Sequence, residues 1–380
     1  MSKPLRVLHV ISGLHLGGAE TLLYRLATTA DPGFEHVVIC LGDRQWYSSR
    51  LEERGVVVHH LRMSSANFVP GLLRLRKLIW RSGADVVQSW LYLSNVLTSM
   101  FARPAGIPVV WGIHASTLEH VGPVSRFCAH LGGRAGRRLA DFVINCSSRS
   151  AELHARFGYD AVPSAVIHNG YDPEAFRPDE GSKSALRREL RISEDTFLVG
   201  SVARWHAQKD IPNLLRATRV LREQGLPVRC LLVGGGLDSA NAELASEIRA
   251  AGCADAVILA GARSKIGDYY RAMDLHVLAS SGSEAFPNVV AESMLSGTPN
   301  VVTDVGDSAL MVGETGWVVP PRNAQALAEA IRESFREWSA ERADWEQRRI
   351  ESRRRIAEQF TFDRMAKAYQ DVWRRVASQS

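Results

Sequence analysis

Leu5-Arg6-Val7-Leu8-His9-Val10-Ile11-Ser12-Gly13-Leu14-His15-Leu16-Gly17-Gly18-Ala19-Glu20-Thr21-Leu22-Leu23-Tyr24-Arg25-Leu26-Ala27 decides the fold of this 380-residue chain. Residues 5–11 form a short apolar run, Gly13, Gly17 and Gly18 punctuate a turn, and apolar residues at helical spacing follow from Ala19. Strand, glycine-rich turn and helix, in that order, open a parallel α/β sheet. Strand-like runs recur at 36–40, 56–60, 86–88, 108–112 and 142–145, separated by helical stretches. Parallel strands need such crossovers, so the first 170 or so residues read as one doubly wound domain.

A second round starts at 196–203 and continues at 229–233, 256–259, 275–278, 300–303 and 316–319. Between the rounds lie the turn formers Asn169-Gly170-Tyr171-Asp172-Pro173 and the polar stretch 178–183, where a hinge is expected. Ligands of such folds bind at the carboxyl ends of the strands. The last third is helical, over 324–335, 345–357 and 362–376. The middle helix carries Arg348, Arg349, Arg353, Arg354 and Arg355, which read as a solvated face.

With 46% hydrophobic and 23% charged residues, the chain can bury cores for two domains. A formal charge of +5 suits an anionic substrate or an acidic membrane surface. No RNA-binding signature, zinc-finger spacing or aromatic-interleaved basic strip is present, so nucleic acid is not expected as a partner. The five cysteines are far apart and include no Cys-x-x-Cys pair, which argues against a disulfide framework or a zinc site. No apolar run approaches the roughly 20 residues of a membrane helix, and a cytoplasmic protein is expected. The segment 72–81 mixes apolar residues with Arg74, Arg76, Lys77 and Arg81, as a packed helix or an interfacial one would.

Two carboxylates eight positions apart, Glu284 and Glu292, carry the chemistry of the second half. Glu284 falls on a loop before Pro287, and Glu292 lies inside the apolar helix that follows. A helix N-terminus presents unpaired N–H groups and partial positive charge, which favour phosphate. Carboxylates accept hydrogen bonds from hydroxyls, so the pair beside such a terminus suits a sugar nucleotide. Arg204 and Lys209 follow the strand at 196–203 and can neutralise a diphosphate or stabilise a departing one. His114 lies just past a strand end in the first half, whereas His15 and His168 read as structural. Neither Gly17-Gly18 nor Gly234-Gly235-Gly236 completes Gly-x-Gly-x-x-Gly, so a dinucleotide cofactor is not indicated.

Gly17-Gly18-Ala19-Glu20, Asn169-Gly170-Tyr171-Asp172 with Phe176, Arg204 with Lys209, Glu284 with Glu292, and the closing helix together resemble the retaining GT-B glycosyltransferases of family four. The resemblance runs from about Arg6 to Trp373. It implies two Rossmann-like domains: an acceptor-binding one at 1–175 and a nucleotide-sugar-binding one at 176–360, with 361–380 crossing back to the first. It implies that Arg204 and Lys209 bind the donor diphosphate, Glu284 the donor sugar and Glu292 the ribose, with Ala285 and Phe286 beside them. His114 would lie near the donor sugar, and Gly17 and Gly18 would approach the phosphates. No metal and no cofactor are implied, because the two cations take the metal's role. Ala285 departs from the usual glycine, and Trp205 replaces a smaller residue.

The implied reaction is transfer from a nucleotide-diphosphate sugar, UDP-sugar ahead of GDP-mannose, to a saccharide or lipid-linked saccharide of a bacterial-type surface polysaccharide or lipopolysaccharide. Contact with an anionic cytoplasmic membrane face would accompany a lipid-linked acceptor. A nucleotide-sugar 2-epimerase of the same architecture is the alternative, and it would release product without an acceptor.

Overall fold

The computed structural model describes residues 3–115, 118, 122–282 and 284–379. The chain divides into two compact units, Met1–Asn169 with Asp363–Ser380, and Gly170–Phe362.

In the first unit the strands are β1 (Leu5–Ile11), β2 (Phe34–Cys40), β3 (Val57–His60), β4 (Val86–Trp90), β5 (Val109–Ile113), β6 (Phe142–Asn145) and β7 (Ser164–Val166). They pair in parallel in the order β3-β2-β1-β4-β5-β6-β7. In the second unit β8 (Phe197–Val202), β9 (Val228–Val233), β10 (Val257–Gly261), β11 (Leu275–Leu278), β12 (Asn300–Thr303) and β13 (Trp317–Val319) form a parallel sheet ordered β10-β9-β8-β11-β12-β13. Each sheet winds outward from its first strand, then reverses to the other side, so β1 and β8 are the switch strands. Both sheets are covered by helices, and the strands are accordingly rich in buried apolar residues, as Val7, Leu8, Val10 and Ile11 in β1 illustrate.

The repeated strand pattern of the sequence matches this architecture: two parallel α/β sheets of GT-B type. One strand, β7, went unread because Ser164-Ala165-Val166 is three residues long and lies at the sheet edge. Its register follows from pairing with β6, a non-local constraint absent from the local pattern. All five cysteines are buried and form no disulfide.

The arginine-rich helix Arg342–Gln359 corrects the expectation of a solvated face. Arg349 Nε donates to the Gly297 carbonyl at 3.0 Å and Arg353 Nη1 to that of Leu295 at 2.5 Å. Arg355 reaches the carbonyls of Met311 at 2.8 Å and Leu310 at 2.6 Å. These oxygens end the helices Asn288–Leu295 and Ser308–Val312, where carbonyls lack helical partners and the dipole is negative. Arg348 forms a bidentate pair with Glu337 at 2.8 and 2.9 Å, and of the five only Arg354 is exposed. Arg349, Arg353 and Arg355 are thus helix caps, and charge composition alone does not reveal that.

From Asp363 onward the closing helix Phe362–Ala377 belongs to the first unit. Trp373 Nε1 donates to Gln88 Oε1 at 3.0 Å, and its ring stands edge-on to His9 and His36, each at 5.7 Å. Tyr369 stacks on Trp90 at 5.9 Å. Burial keeps both histidines neutral at pH 7, with His36 pushed down to about 4. The chain enters and leaves the second unit along paired segments: Tyr171 N donates to the Phe360 carbonyl at 2.8 Å and Phe362 N to that of Tyr171 at 3.0 Å. Gly170 is required there, because a Cβ would stand 2.6 Å from Phe362 Cα.

Trp373→Ala removes a fully buried indole and should destabilise the first unit by about 3–5 kcal/mol. Chemical denaturation followed by far-UV circular dichroism measures this; a midpoint unchanged from the parent would contradict the packing described.

Candidate functional site

The site is built where the second sheet reverses. After β8 the chain runs through Ala203, exposed Arg204, Trp205 and His206 into a tight turn at Ala207–Lys209. Asp210 then takes a left-handed conformation (φ 45°), which aspartate tolerates better than most residues, and the helix Ile211–Glu223 begins. After β11, on the other side of β8, Ala279 to Phe286 lead into the helix Asn288–Leu295. Because β9 and β11 flank β8 on opposite sides, the β8 and β11 loops border the crevice between them.

The two loops are bonded to each other. Ser281 N donates to the Gln208 carbonyl at 2.8 Å, and Lys209 Nζ donates to Glu284 Oε1. The same carboxylate oxygen accepts from Ser280 Oγ at 2.7 Å. Lys209 and Glu284 are mostly buried, with side chains 25% and 12% exposed, so each charge has its partner where water is scarce. Arg204, on the same loop as Lys209, makes no ion pair among the described residues. One cation is thus open to a ligand and one is paired with the carboxylate expected at the sugar.

The backbone of Glu284 is clamped from the β12 loop. Gly306 has φ 55°, and a Cβ there would run into the Glu284 carbonyl and stand 2.7 Å from that of Ala285. Asp307 N donates to the Ala285 carbonyl at 3.0 Å. Sequence reasoning passed over both; a Val-Gly-Asp run just past a strand was the available signal. The Gly234–Gly236 run supports the other loop: a Cβ at Gly234 (φ 139°) would strike the Ala203 carbonyl, and Trp205 N donates to Gly235 O at 2.8 Å. Trp205 is anchored further by its Nε1, 2.9 Å from Glu243 Oε2.

Glu292 lies inside the Asn288–Leu295 helix as expected, and its Oε2 accepts from the Tyr270 hydroxyl at 2.8 Å. Burial pushes its carboxyl above the usual range, against the pull of that hydrogen bond. Ala285 is half-buried. Phe286 is buried in a cluster with Tyr171, Val290, Met294 and Phe360, its ring 5.2 Å from that of Phe360.

Gly17, Gly18 and His114 lie in the first unit. Gly17 precedes the helix Gly18–Thr28, and the space its side chain would take is filled by the carboxylate of Glu20. Glu20 is buried, raised in pKa by that burial, and paired with His15 Nε2 at 3.1 Å. Nothing stands within 4 Å of a Cβ at Gly18, so that residue is the open one of the two. His114 follows β5, stacks on Trp90 at 5.3 Å, and is pushed down to about 4 by burial, which leaves it neutral at pH 7. Its buried Nε2 has no hydrogen-bond partner among the described residues.

Residues 16–175 match the model of glycosyltransferase family 4, and residues 196–337 match that of the glycosyl transferases group 1. The putative glycosyltransferase EpsF of Bacillus subtilis is 26% identical over 320 residues, 79% of each chain. The lipopolysaccharide core biosynthesis mannosyltransferase LpsB of Rhizobium meliloti is 31% identical over 201 residues, 51% of this chain and 55% of LpsB. The structure of Anabaena HepE with UDP superposes with a TM-score of 0.83 at 22% identity, covering 97% of this chain and 99% of HepE. HepE has also been crystallised with UDP-glucose.

The clamp on Glu284 yields a direct expectation. Gly306→Ala forces an alanine into a left-handed conformation, costing on the order of 1–3 kcal/mol before the clash is counted. The melting temperature should fall, and any nucleotide-induced thermal shift should shrink more than that fall explains. An alanine variant with the parent's melting temperature and ligand response would show that the close approach is unimportant.

Proposed function

This chain belongs to the glycosyltransferases, family 4 in its N-terminal half and group 1 in its C-terminal half, and we propose that it is a retaining hexosyltransferase. The donor is a nucleotide-diphosphate sugar, UDP-sugar ahead of GDP-mannose, and the acceptor is a saccharide or lipid-linked saccharide of a surface polysaccharide or lipopolysaccharide. The observation that carries this reading is the switch-point pairing of Lys209 with Glu284, with Arg204 open on the same loop. The UDP and UDP-glucose bound to HepE support the first donor, and the mannosyltransferase LpsB supports the second.

In this reaction the bond between the anomeric carbon and the diphosphate breaks, and the electron pair leaves with the nucleoside diphosphate. The acceptor hydroxyl bonds to the anomeric carbon on the face that the diphosphate leaves, and its proton passes to a departing phosphate oxygen. Arg204 and Lys209 stabilise the negative charge growing on that phosphate. Glu284, held by Ser280 and by the Gly306 clamp, accepts hydrogen bonds from the donor-sugar hydroxyls. Glu292 accepts from the ribose; in the first unit, Gly18 has open backbone and His114 is neutral, properties that suit phosphate and sugar contact respectively. The two cations do the work a divalent ion does elsewhere, so turnover should survive chelation.

The helix Phe68–Arg81 supports contact with an anionic membrane. Gly71, Leu75 and Ile79 face inward, while Val69, Leu73 and Trp80 are exposed beside Arg74, Lys77 and Arg81. Arg76, 4.1 Å over the Trp80 ring, adds a cation to that outer face, and a mixed apolar and basic face is what an interfacial helix needs. Among the described residues no helix is long and apolar enough to cross a membrane.

Lys209→Ala or Arg204→Ala should lower turnover at least a hundredfold, about 3 kcal/mol of lost charge stabilisation, with far-UV circular dichroism unchanged. Near-normal turnover in both would sink the assignment, and an unaltered rate in Glu284→Ala would remove that residue from the donor site. Thermal shift with UDP, GDP and NAD, then mass spectrometry of products, checks the donor class: a nucleoside diphosphate should stabilise and NAD should not. Flotation with anionic vesicles should recover the parent protein and lose a Leu73→Asp/Trp80→Asp variant; equal flotation of the two would discard the helix as the contact.

A further inference from the structure

Tyr270 stands behind Glu292 and has one direction in which its hydroxyl can point. It lies on the helix Ile266–Ala272, is fully buried, and donates to Glu292 Oε2 at 2.8 Å. The rings of Phe176 and His276 meet it edge-on at 6.2 and 5.7 Å, and Thr298 Oγ1 ties down its carbonyl at 2.7 Å. His276 is itself fixed, with Nδ1 2.6 Å from Asn300 Oδ1, and Asn300 Nδ2 donates to Ser293 Oγ at 2.9 Å. The wall behind the phenol is therefore rigid on every side described.

Glu292 is held just as firmly from the main chain, because Arg349 and Arg353 cap the end of its helix. A free glutamate side chain samples several rotamers and loses conformational entropy when it is fixed. The Tyr270 bond fixes it in advance. An ionised carboxylate has two oxygens with about four lone-pair sites. One site on Oε2 is taken by the phenol, which leaves Oε1 and the remaining site on Oε2 to accept from other donors.

We propose that Tyr270 is a positioning residue that makes this site select ribose over 2′-deoxyribose, by presenting the Glu292 carboxylate to the two vicinal hydroxyls of the donor nucleotide. This rests on the nucleotide-sugar reading, in which Glu292 takes the ribose. The physical basis is that a half-buried carboxylate arranged for two hydroxyl donors is left short of one when the 2′-hydroxyl is missing, and sites built to bond a hydroxyl reject the analogue that lacks it. An unpinned carboxylate can turn to serve either sugar, so the discrimination belongs to the phenol as much as to the acid.

Isothermal titration of the full chain with UDP and 2′-deoxy-UDP, or with GDP and 2′-deoxy-GDP should the guanine nucleotide be the one that binds, tests this. The parent should bind the ribonucleotide at least tenfold more tightly than its deoxy analogue. Tyr270→Phe should weaken the ribonucleotide by about that factor, leave the deoxy form nearly unchanged, and bring the ratio close to one. Glu292→Gln, which keeps the shape and removes the charge, should collapse the ratio in the same way and serves if Tyr270→Phe proves unstable. Equal weakening of both nucleotides in Tyr270→Phe, or an unchanged ratio, would overturn the proposal and leave Tyr270 a packing residue. Failure of the parent to bind any nucleoside diphosphate would instead overturn the nucleotide-sugar reading, and this inference with it.

Discussion

The contact between Lys209 and Glu284 is the interaction around which the second unit is arranged. It spans the point where the strand order reverses, so no crossover helix can fill the space beside it. Two opposite charges in a poorly hydrated crevice hold each other in place, and losing either leaves the other uncompensated. Around them the chain spends unusual backbone: left-handed Asp210, positive-φ Gly234 and Gly306, and carbonyls of adjacent loops within hydrogen-bond reach. Such conformations persist only where the surroundings over-determine them. The site's polarity is divided accordingly, with cations on the β8 loop and acids on the β11 loop and its helix.

Helix ends supply the second layer of control. The Asn288–Leu295 helix begins beside the Glu284 loop, and its far end is capped by arginines drawn from 50 to 60 residues downstream in sequence. A short helix of eight residues would be marginal alone, and tertiary bonds at its carbonyl end fix its direction. The direction of that helix sets where Glu292 points, so surface-looking arginines contribute to the aim of a carboxylate they never touch.

Most of the architecture was legible because burial on both faces of a parallel sheet writes continuous apolar runs. The charged residues of the site were legible because paired charges after strand ends have few other uses. What escaped notice shares one cause: it depends on a partner distant in the chain. β7 is defined by β6, Gly306 by the Glu284 carbonyl, and the helix-capping arginines by exposed carbonyls elsewhere. Phe286 looked like part of the donor pocket by adjacency to Glu284, yet its ring serves the core. Gly17 looked open, yet the Glu20 carboxylate occupies its face. In each case the residue type was informative and its neighbour was not predictable from spacing.

The position of the closing helix sets an order of events on the ribosome. Residues 170–362 are one uninterrupted stretch and can close on themselves as soon as they emerge. The first unit is synthesised earlier but lacks a piece: Tyr369, Trp373 and Val376, all buried against it, are translated only after residues 170–362. Until then the ring cluster of His9, His36 and Trp90 stays uncovered, presenting an apolar surface to chaperones or to other nascent chains. Maturation thus runs opposite to synthesis, and the half that is made first is finished last.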